Sequence, residues 1–270
     1  MSAAAGDGAR APRPPLDART LVRLARKGGA IGLAHFRRAE AEGKADATLV
    51  TAADREIETA IRDELGRHHP EVAILGEEFD AVGDPQAGWS VAIDPIDGTD
   101  AYVAGLPTWA VSIGILDRGT AVAGVVYLPA FDDLYVAYGG GLRWNGEEVP
   151  RGGVAPQHEG FVLAYSEFHR RHLLRFGAGT RKMRALGSTA YHLSLVARGA
   201  AEAAIVGRVH VWDVAAGAAL LAASGGELVY LKSGKAVDLR GLLRGEPSRD
   251  FMIAAREGAA ARVLSRIRRR

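Results

Sequence analysis

Cysteine is absent from all 270 residues. That excludes disulfides, thiolate nucleophiles and the usual structural zinc sites, and it fits a reducing compartment. Long apolar runs are missing too. No stretch reaches the ~18 residues of a membrane span, and the N-terminal residues lack the apolar region of a signal peptide. The formal net charge is only +2, and no pair among the eight histidines has a metal-site spacing. These absences together predict a soluble cytoplasmic protein. What is present is ordinary for a globular chain, 48% hydrophobic and 24% charged, and long enough to bury a sizeable core without covalent staples. One large domain or two modest ones is expected.

Residues 1–15 are small, Gly/Pro-rich and aperiodic, and are expected to be a disordered tail. Residues 16–150 and 151–270 are expected to be two sheet-containing halves joined near 150–160, an α/β sandwich. From Asp17 a helix is expected through Leu21, Leu24, Ala25, Ile31 and Leu33, weak in its middle at Gly28 and Gly29. Residues 40–47 read as a polar loop. Thr51 and Asp54 spell a capping box ahead of Ile57, Ile61 and Leu65. Strands are expected at 72–75, 91–93, 109–116, 121–128 and 134–138, with a hairpin turn at Asn145-Gly146. The second half predicts strands at 161–164, 182–186, 203–206, 227–231 and 251–255. It also predicts helices at 167–175, after Gly187-Ser188-Thr189, and from Trp212-Asp213 to Gly225. A final helix is expected to run into the basic residues 266–270.

Four acidic clusters each lie at a strand end or a helix start: Asp54, Glu77 with Glu78, Asp94 with Asp97, and Asp213. Three of them have plain local readings, as helix caps (Asp54, Asp213) or a solvated loop pair (Glu77, Glu78). Asp94-Pro-Ile-Asp97-Gly-Thr99 is harder to explain that way. Pro95 holds Asp94 extended, and Gly98 permits a turn that side-chain-bearing residues resist. Carboxylates crowded at the end of a buried strand repel each other unless a cation neutralises them. Hard oxygen donors of this kind suit Mg²⁺.

These segments resemble the Mg²⁺-dependent, lithium-sensitive phosphomonoesterases of the inositol monophosphatase superfamily. The resemblance covers residues 17–265. It rests on Leu49-Val-Thr-Ala-Ala-Asp54, Gly76-Glu-Glu78, Asp94-Pro-Ile-Asp-Gly-Thr99 and Trp212-Asp-Val-Ala-Ala-Gly217. It implies a layered αβαβα sandwich of the inositol monophosphatase and fructose-1,6-bisphosphatase type, acting as a homodimer on a small phosphate monoester. It also implies two Mg²⁺ ions. Glu77, Asp94 and the Ile96 carbonyl would hold the first, and Asp94, Asp97 and Asp213 the second, with Glu78 near a weaker third. Asp54 and Thr99 would activate the attacking water, with Glu77 counted among the catalytic residues. Substrate would meet Asp97, Gly98, Thr99, Gly187, Ser188, Thr189 and Asp213. His210, beside Asp213, reads as structural.

Two departures bear on the substrate. Ala101 stands where inositol-specific relatives have Asn, and Val206 stands where they have an acidic residue that contacts inositol hydroxyls. Losing a buried acceptor relaxes or redirects specificity without touching the phosphate chemistry. Inositol 1-phosphate is therefore one expected substrate. The run from Asp97 to Trp109 also resembles the histidinol-phosphate phosphatase branch. 3′-Phosphoadenosine 5′-phosphate and fructose 1,6-bisphosphate are less favoured. A reading from another class is association with RNA or the transcription machinery through residues 266–270; a solvated helix end is the plainer reading of that tail.

Overall fold

The computed structural model describes residues 13–38, 40–43, 49–152, 161–165, 168, 172–174 and 182–269. The expected disordered tail lies outside the described residues as far as residue 12, and so does most of the join near 150–160. Asp17 opens the first helix, its side chain accepting from the Thr20 N–H at 2.8 Å. That helix, α1 (Ala18–His35), runs unbroken through the expected weak point. Gly28, Gly29 and Gly32 form its contact stripe, and a Cβ on Gly32 would stand 2.5 Å from the Trp109 ring. Helix propensity lost at the glycines is offset by burial of α1 on the aromatic side chains beneath it.

The expected polar loop at 40–47 is in part a strand. β1 (Ala41–Gly43) is fully exposed and pairs antiparallel with β2 (Leu49–Thr51). Backbone pairing alone makes it a strand, so no apolar pattern announces it; residues 44–48 lie outside the described residues. The capping box forms as expected and starts α2 (Ala52–His68).

Next come β3 (Ala73–Gly76), β4 (Trp89–Asp97), α3 (Thr99–Val103), β5 (Ala110–Asp117), β6 (Thr120–Leu128), β7 (Asp133–Tyr138), β8 (Gly141–Trp144) and β9 (Glu147–Val149). β3 to β9 form a seven-stranded sheet in chain order, antiparallel except for the β3–β4 pair. The remaining elements are β10 (Val162–Ala164), β11 (His172–Leu174), β12 (Met183–Arg184), α4 (Thr189–Ala197), β13 (Ala203–Val206), α5 (Val211–Ser224), β14 (Glu227–Tyr230), β15 (Met252–Ala255), α6 (Ala260–Leu264) and β16 (Ile267–Arg269). A five-stranded sheet has the order β12-β10-β13-β15-β14.

Two expectations fail in this half for one reason. The helix expected at 167–175 survives only at Phe168 among the described residues, because 172–174 are strand β11. The final helix stops at Leu264, and the tail turns into β16, which pairs antiparallel with β11. Each segment supplies the backbone partner that the other needs, although Leu174 and its partner Ile267 lie far apart in the chain. The strand expected at 182–186 shortens to Met183–Arg184.

Alternation along the strands builds the layers. Val91 and Ile93 face the cluster made with α1 and α2, whereas Ala92 faces the one made with α4 and α5. In the second sheet, Leu163 and Ala204 face α4 and α5, while Val162, Ala203 and Ile205 pack towards Ala260 and Val263 of α6. The order is α1/α2, seven-stranded sheet, α4/α5, five-stranded sheet, α6, which is the expected αβαβα sandwich.

One row of small residues places the site. Ala92, Gly114, Gly124 and Ala137 are successive cross-strand partners, and α5 lies on them. A Cβ on Gly114 would come 2.6 Å from both the Ala215 Cβ and the Ala216 nitrogen; on Gly124 it would come 2.8 Å from the Ala216 Cα. The helix backbone therefore rides on the sheet itself. This fixes the start of α5, with Asp213, against the end of β4, with Asp94.

Candidate active site

β4 keeps its register with β5 to the Asp94–Ser112 pair, then shifts before Asp97 pairs with Ala110. Pro95 contributes to that shift because it lacks the ladder N–H. Gly98 has φ +93°, and a Cβ there would meet the Gly187 carbonyl oxygen at 2.6 Å, so glycine is required twice over. The Thr99 hydroxyl donates to the Ile96 carbonyl at 3.1 Å. α3 packs on β2, which brings Thr99 and its helix against the Thr51–Asp54 cap.

Asp94 and Asp97 are both buried. Asp97 closes onto the start of α4: it accepts from the Ser188 hydroxyl, from the Ala190 N–H at 2.7 Å and from the Thr189 N–H at 3.1 Å. Burial pushes its carboxyl up to about 6 even though those donors pull it down. The segment expected to meet substrate thus spends the Ser188 hydroxyl and the Thr189 N–H on Asp97. Asp213 and His210 form a reciprocal capping box, with the His210 N–H donating to Asp213 at 2.7 Å. His210 is a structural cap here, as expected. Asp54 is wholly buried and accepts both the N–H and the hydroxyl of Thr51.

The caps point inward. Burial, then the charges of Glu77, Asp97, Asp213 and Asp54, hold the Asp94 carboxyl well above the usual carboxylate range. Burial, Glu77 and Asp97 do the same to Asp213, against the His210 N–H and a hydrogen bond from Asp94. Among the described residues no lysine or arginine pairs with Asp94, Asp97 or Asp213. A cleft of about 590 Å³ opens beside Glu77 and Trp212, between the loop after β3 and Leu243–Gly245.

Among the described residues no three acidic or histidine side chains are gathered closely enough to hold a metal ion as they stand. Two observations nevertheless fit a divalent cation. The buried Asp94 Oδ1 has no hydrogen-bond partner, and the surrounding donors are all hard oxygens of one charge sign. A cation would remove the mutual repulsion that raises Asp94 and Asp213.

Two supporting groups escaped the sequence reading. Glu58 lies one helical turn after Asp54 and is fully buried. His192, also buried, accepts the Leu186 N–H at 3.0 Å and so steadies the turn before Ser188. The only signal for either was spacing of four residues from a capping residue. Burial lowers the His192 ring to about 4 from the ordinary 6.5. The folded state therefore holds it neutral, and its contribution is complete above pH 6.5 and lost as pH falls towards 4. Between pH 7.5 and pH 5 the wild type should lose about 2 kcal/mol more than His192→Gln, which cannot titrate. Urea melts at the two pH values check this; equal losses would show that the ring is not held neutral.

The family model for the inositol monophosphatase family matches residues 17–268. The chain is 34% identical over 212 residues to a fructose-1,6-bisphosphatase/inositol-1-monophosphatase of Thermotoga maritima, covering 76% of this chain and 81% of that protein. It is also 34% identical over 226 residues to a histidinol-phosphatase of Mycobacterium tuberculosis, covering 75% and 84%. A solved Thermotoga maritima IMPase superposes with a TM-score of 0.76 at 28% identity, over 90% of this chain and 93% of that one.

Proposed function

This chain belongs to the inositol monophosphatase family and is a phosphomonoesterase, and from that premise we propose a Mg²⁺-dependent enzyme that hydrolyses a small phosphate monoester by direct attack of water. The observation that carries the reading is Asp94: buried, with one oxygen lacking a hydrogen-bond partner, and pressed by the charges of Glu77, Asp97 and Asp213. Glu77, Asp94 and the Ile96 carbonyl would hold one ion. Asp94, Asp97 and Asp213 would hold a second, and Glu78 would stand near a weaker third. When bound, such ions lower the pKa of water, bridge phosphate oxygens and stabilise the leaving alkoxide.

The chain's own groups supply the rest. Asp54, anchored by Thr51, and Thr99, anchored on the Ile96 carbonyl, orient the attacking water and take its proton. The Gly98 and Thr99 backbone N–H groups, at the start of α3, would meet the phosphate. Asp97 is locked to the start of α4, so Gly187, Ser188 and Thr189 would act on the substrate chiefly by setting Asp97.

The substrate reading is inositol 1-phosphate or a similar polyol monoester, with histidinol phosphate as the alternative. Val206 is buried and apolar, so no carboxylate at that position selects inositol hydroxyls. Arg208, just after that strand, is exposed and donates from Nε to the Ser248 carbonyl at 3.2 Å. Kinetics with Mg²⁺ should compare inositol 1-phosphate, histidinol phosphate, fructose 1,6-bisphosphate and 3′-phosphoadenosine 5′-phosphate by kcat/KM. Release that stops with chelator is expected, with inositol 1-phosphate favoured over the other monoester by less than about 100-fold. Absence of metal-dependent release from all four would overturn the proposal.

The reading of residues 266–270 as an RNA contact stays the alternative from another class, and salt-dependent RNA binding lost on deleting those residues would favour it. Arg266 lies 3.8 Å from the buried Glu202, and Ile267–Arg269 is paired into the fold. No helix among the described residues is long and apolar enough to cross a membrane. A cytoplasmic homodimer remains the proposal drawn from the resemblance, and light scattering tests its dimeric part.

A further inference from the structure

Glu58 and Arg62 lie one turn apart on α2 and form an ion pair beneath the loop that carries Glu77. Glu58 is fully buried, and Arg62 is nearly so. Glu58 Oε1 accepts from Arg62 Nε at 2.7 Å, and Oε2 accepts the Glu78 N–H at 2.8 Å. Arg62 then reaches past its partner. Its Nη2 donates to the Phe79 carbonyl at 2.9 Å and its Nη1 to the Asp80 carbonyl at 3.0 Å, while its guanidinium lies 5.7 Å from the Phe79 ring centre. A Cβ on Gly76 would fall on the Glu58 carboxylate. The glycine of Gly76-Glu-Glu78 is therefore the opening through which that carboxylate reaches the loop.

The pair grips the backbone at Glu78, Phe79 and Asp80 and packs against Gly76, so Glu77 has a held residue on each side. Burying an ion pair is a poor way to gain stability. Desolvation cancels most of the attraction, and an apolar pair of similar volume serves as well or better. What the pair adds is direction, because a carboxylate and a guanidinium fork hold backbone groups at defined angles. We propose that Glu58 and Arg62 are positioning residues that fix the turn 76–80 and aim the Glu77 carboxylate towards Asp94 and Asp213. This rests on the reading of Glu77 as a cation ligand.

The test uses the full chain, chelator-treated, with Mn²⁺ binding followed by calorimetry or electron paramagnetic resonance. In E58M/R62M the Mn²⁺ Kd should rise by about tenfold or more, as when an outer partner of a metal ligand is removed. The ion-free Tm should stay close to that of the wild type, and kcat at saturating Mg²⁺ should largely recover. Glu58→Gln keeps an oxygen for the Glu78 N–H and should restore most of the affinity. A rise of less than about fivefold in folded E58M/R62M overturns the proposal. If that variant does not fold, Arg62→Lys, which keeps a charge beside Glu58 but loses the fork onto the Phe79 and Asp80 carbonyls, decides by the same threshold. A wild type that fails to bind Mn²⁺ overturns the cation-site reading itself, and with it the positioning role.

Discussion

Asp94→Asn is expected to abolish phosphate release while making the ion-free protein harder to unfold. The two effects have one cause. Asp94 is buried at the end of β4, and the charges of Glu77, Asp97, Asp213 and Asp54 all oppose its ionisation. An amide cannot ionise, keeps the shape and can still donate to Asp213 in place of the carboxyl. Relief of buried like-charge repulsion is worth about 2 kcal/mol, or roughly 5 °C in Tm for a chain of this size. Catalysis goes the other way. As the proposed ligand shared by two cations, Asp94 would contribute several kcal/mol of charge stabilisation, so kcat/KM should fall by about 10³-fold or more. Calorimetry in chelator and phosphate release in Mg²⁺ read the two halves. A variant less stable than wild type without ions would show that Asp94 is not under repulsion.

Gly114→Val is expected to cause the largest loss of stability, about 3 kcal/mol or more. The added atoms would meet the Ala215 Cβ and the Ala216 nitrogen, already 2.6 Å from a Cβ alone, and a helix backbone cannot turn aside as a side-chain tip can. α5 must lift from the sheet, and Asp213 moves with it, so cation affinity and kcat/KM should fall along with the Tm. Gly66→Ala provides the contrast. Gly66 lies inside α2 with nothing within 4 Å of a Cβ, and alanine there should add up to about 1 kcal/mol through helix propensity alone. Thermal melts of the two variants should shift in opposite directions. A Gly114→Val protein with wild-type Tm would contradict the seating of α5.

What the sequence made readable was chiefly local. The apolar run into Asp94, the left-handed Gly98 and the caps at Asp54 and Asp213 are each set within a few residues. Asp54 and Asp213 are both helix caps in the structure, and that is compatible with the proposed site role. A cap holds the carboxylate rigid, and the fold then turns its face to the centre. What stayed hidden depends on distant partners. β1 and the β11–β16 pair have no apolar period of their own, so nothing short of the tertiary pairing reveals them. Glu58 and Arg62, four residues apart on α2, carry no local sign of burial. Only the loop folding over α2 buries them. Gly28 and Gly29 looked like weakness in α1 because their partners, among them Val111 and Tyr127, lie about eighty to a hundred residues away.

The most direct test of the site is phosphate release from inositol 1-phosphate and histidinol phosphate, titrated with Mg²⁺ from a chelator-treated start, in the wild type and in Asp213→Asn. The wild type should be inactive without the cation and gain activity saturably as Mg²⁺ is added. Asp213→Asn should stay inactive throughout, although folded. Release that persists in chelator, or an Asp213→Asn protein with wild-type activity, would contradict a cation-dependent centre built on these carboxylates.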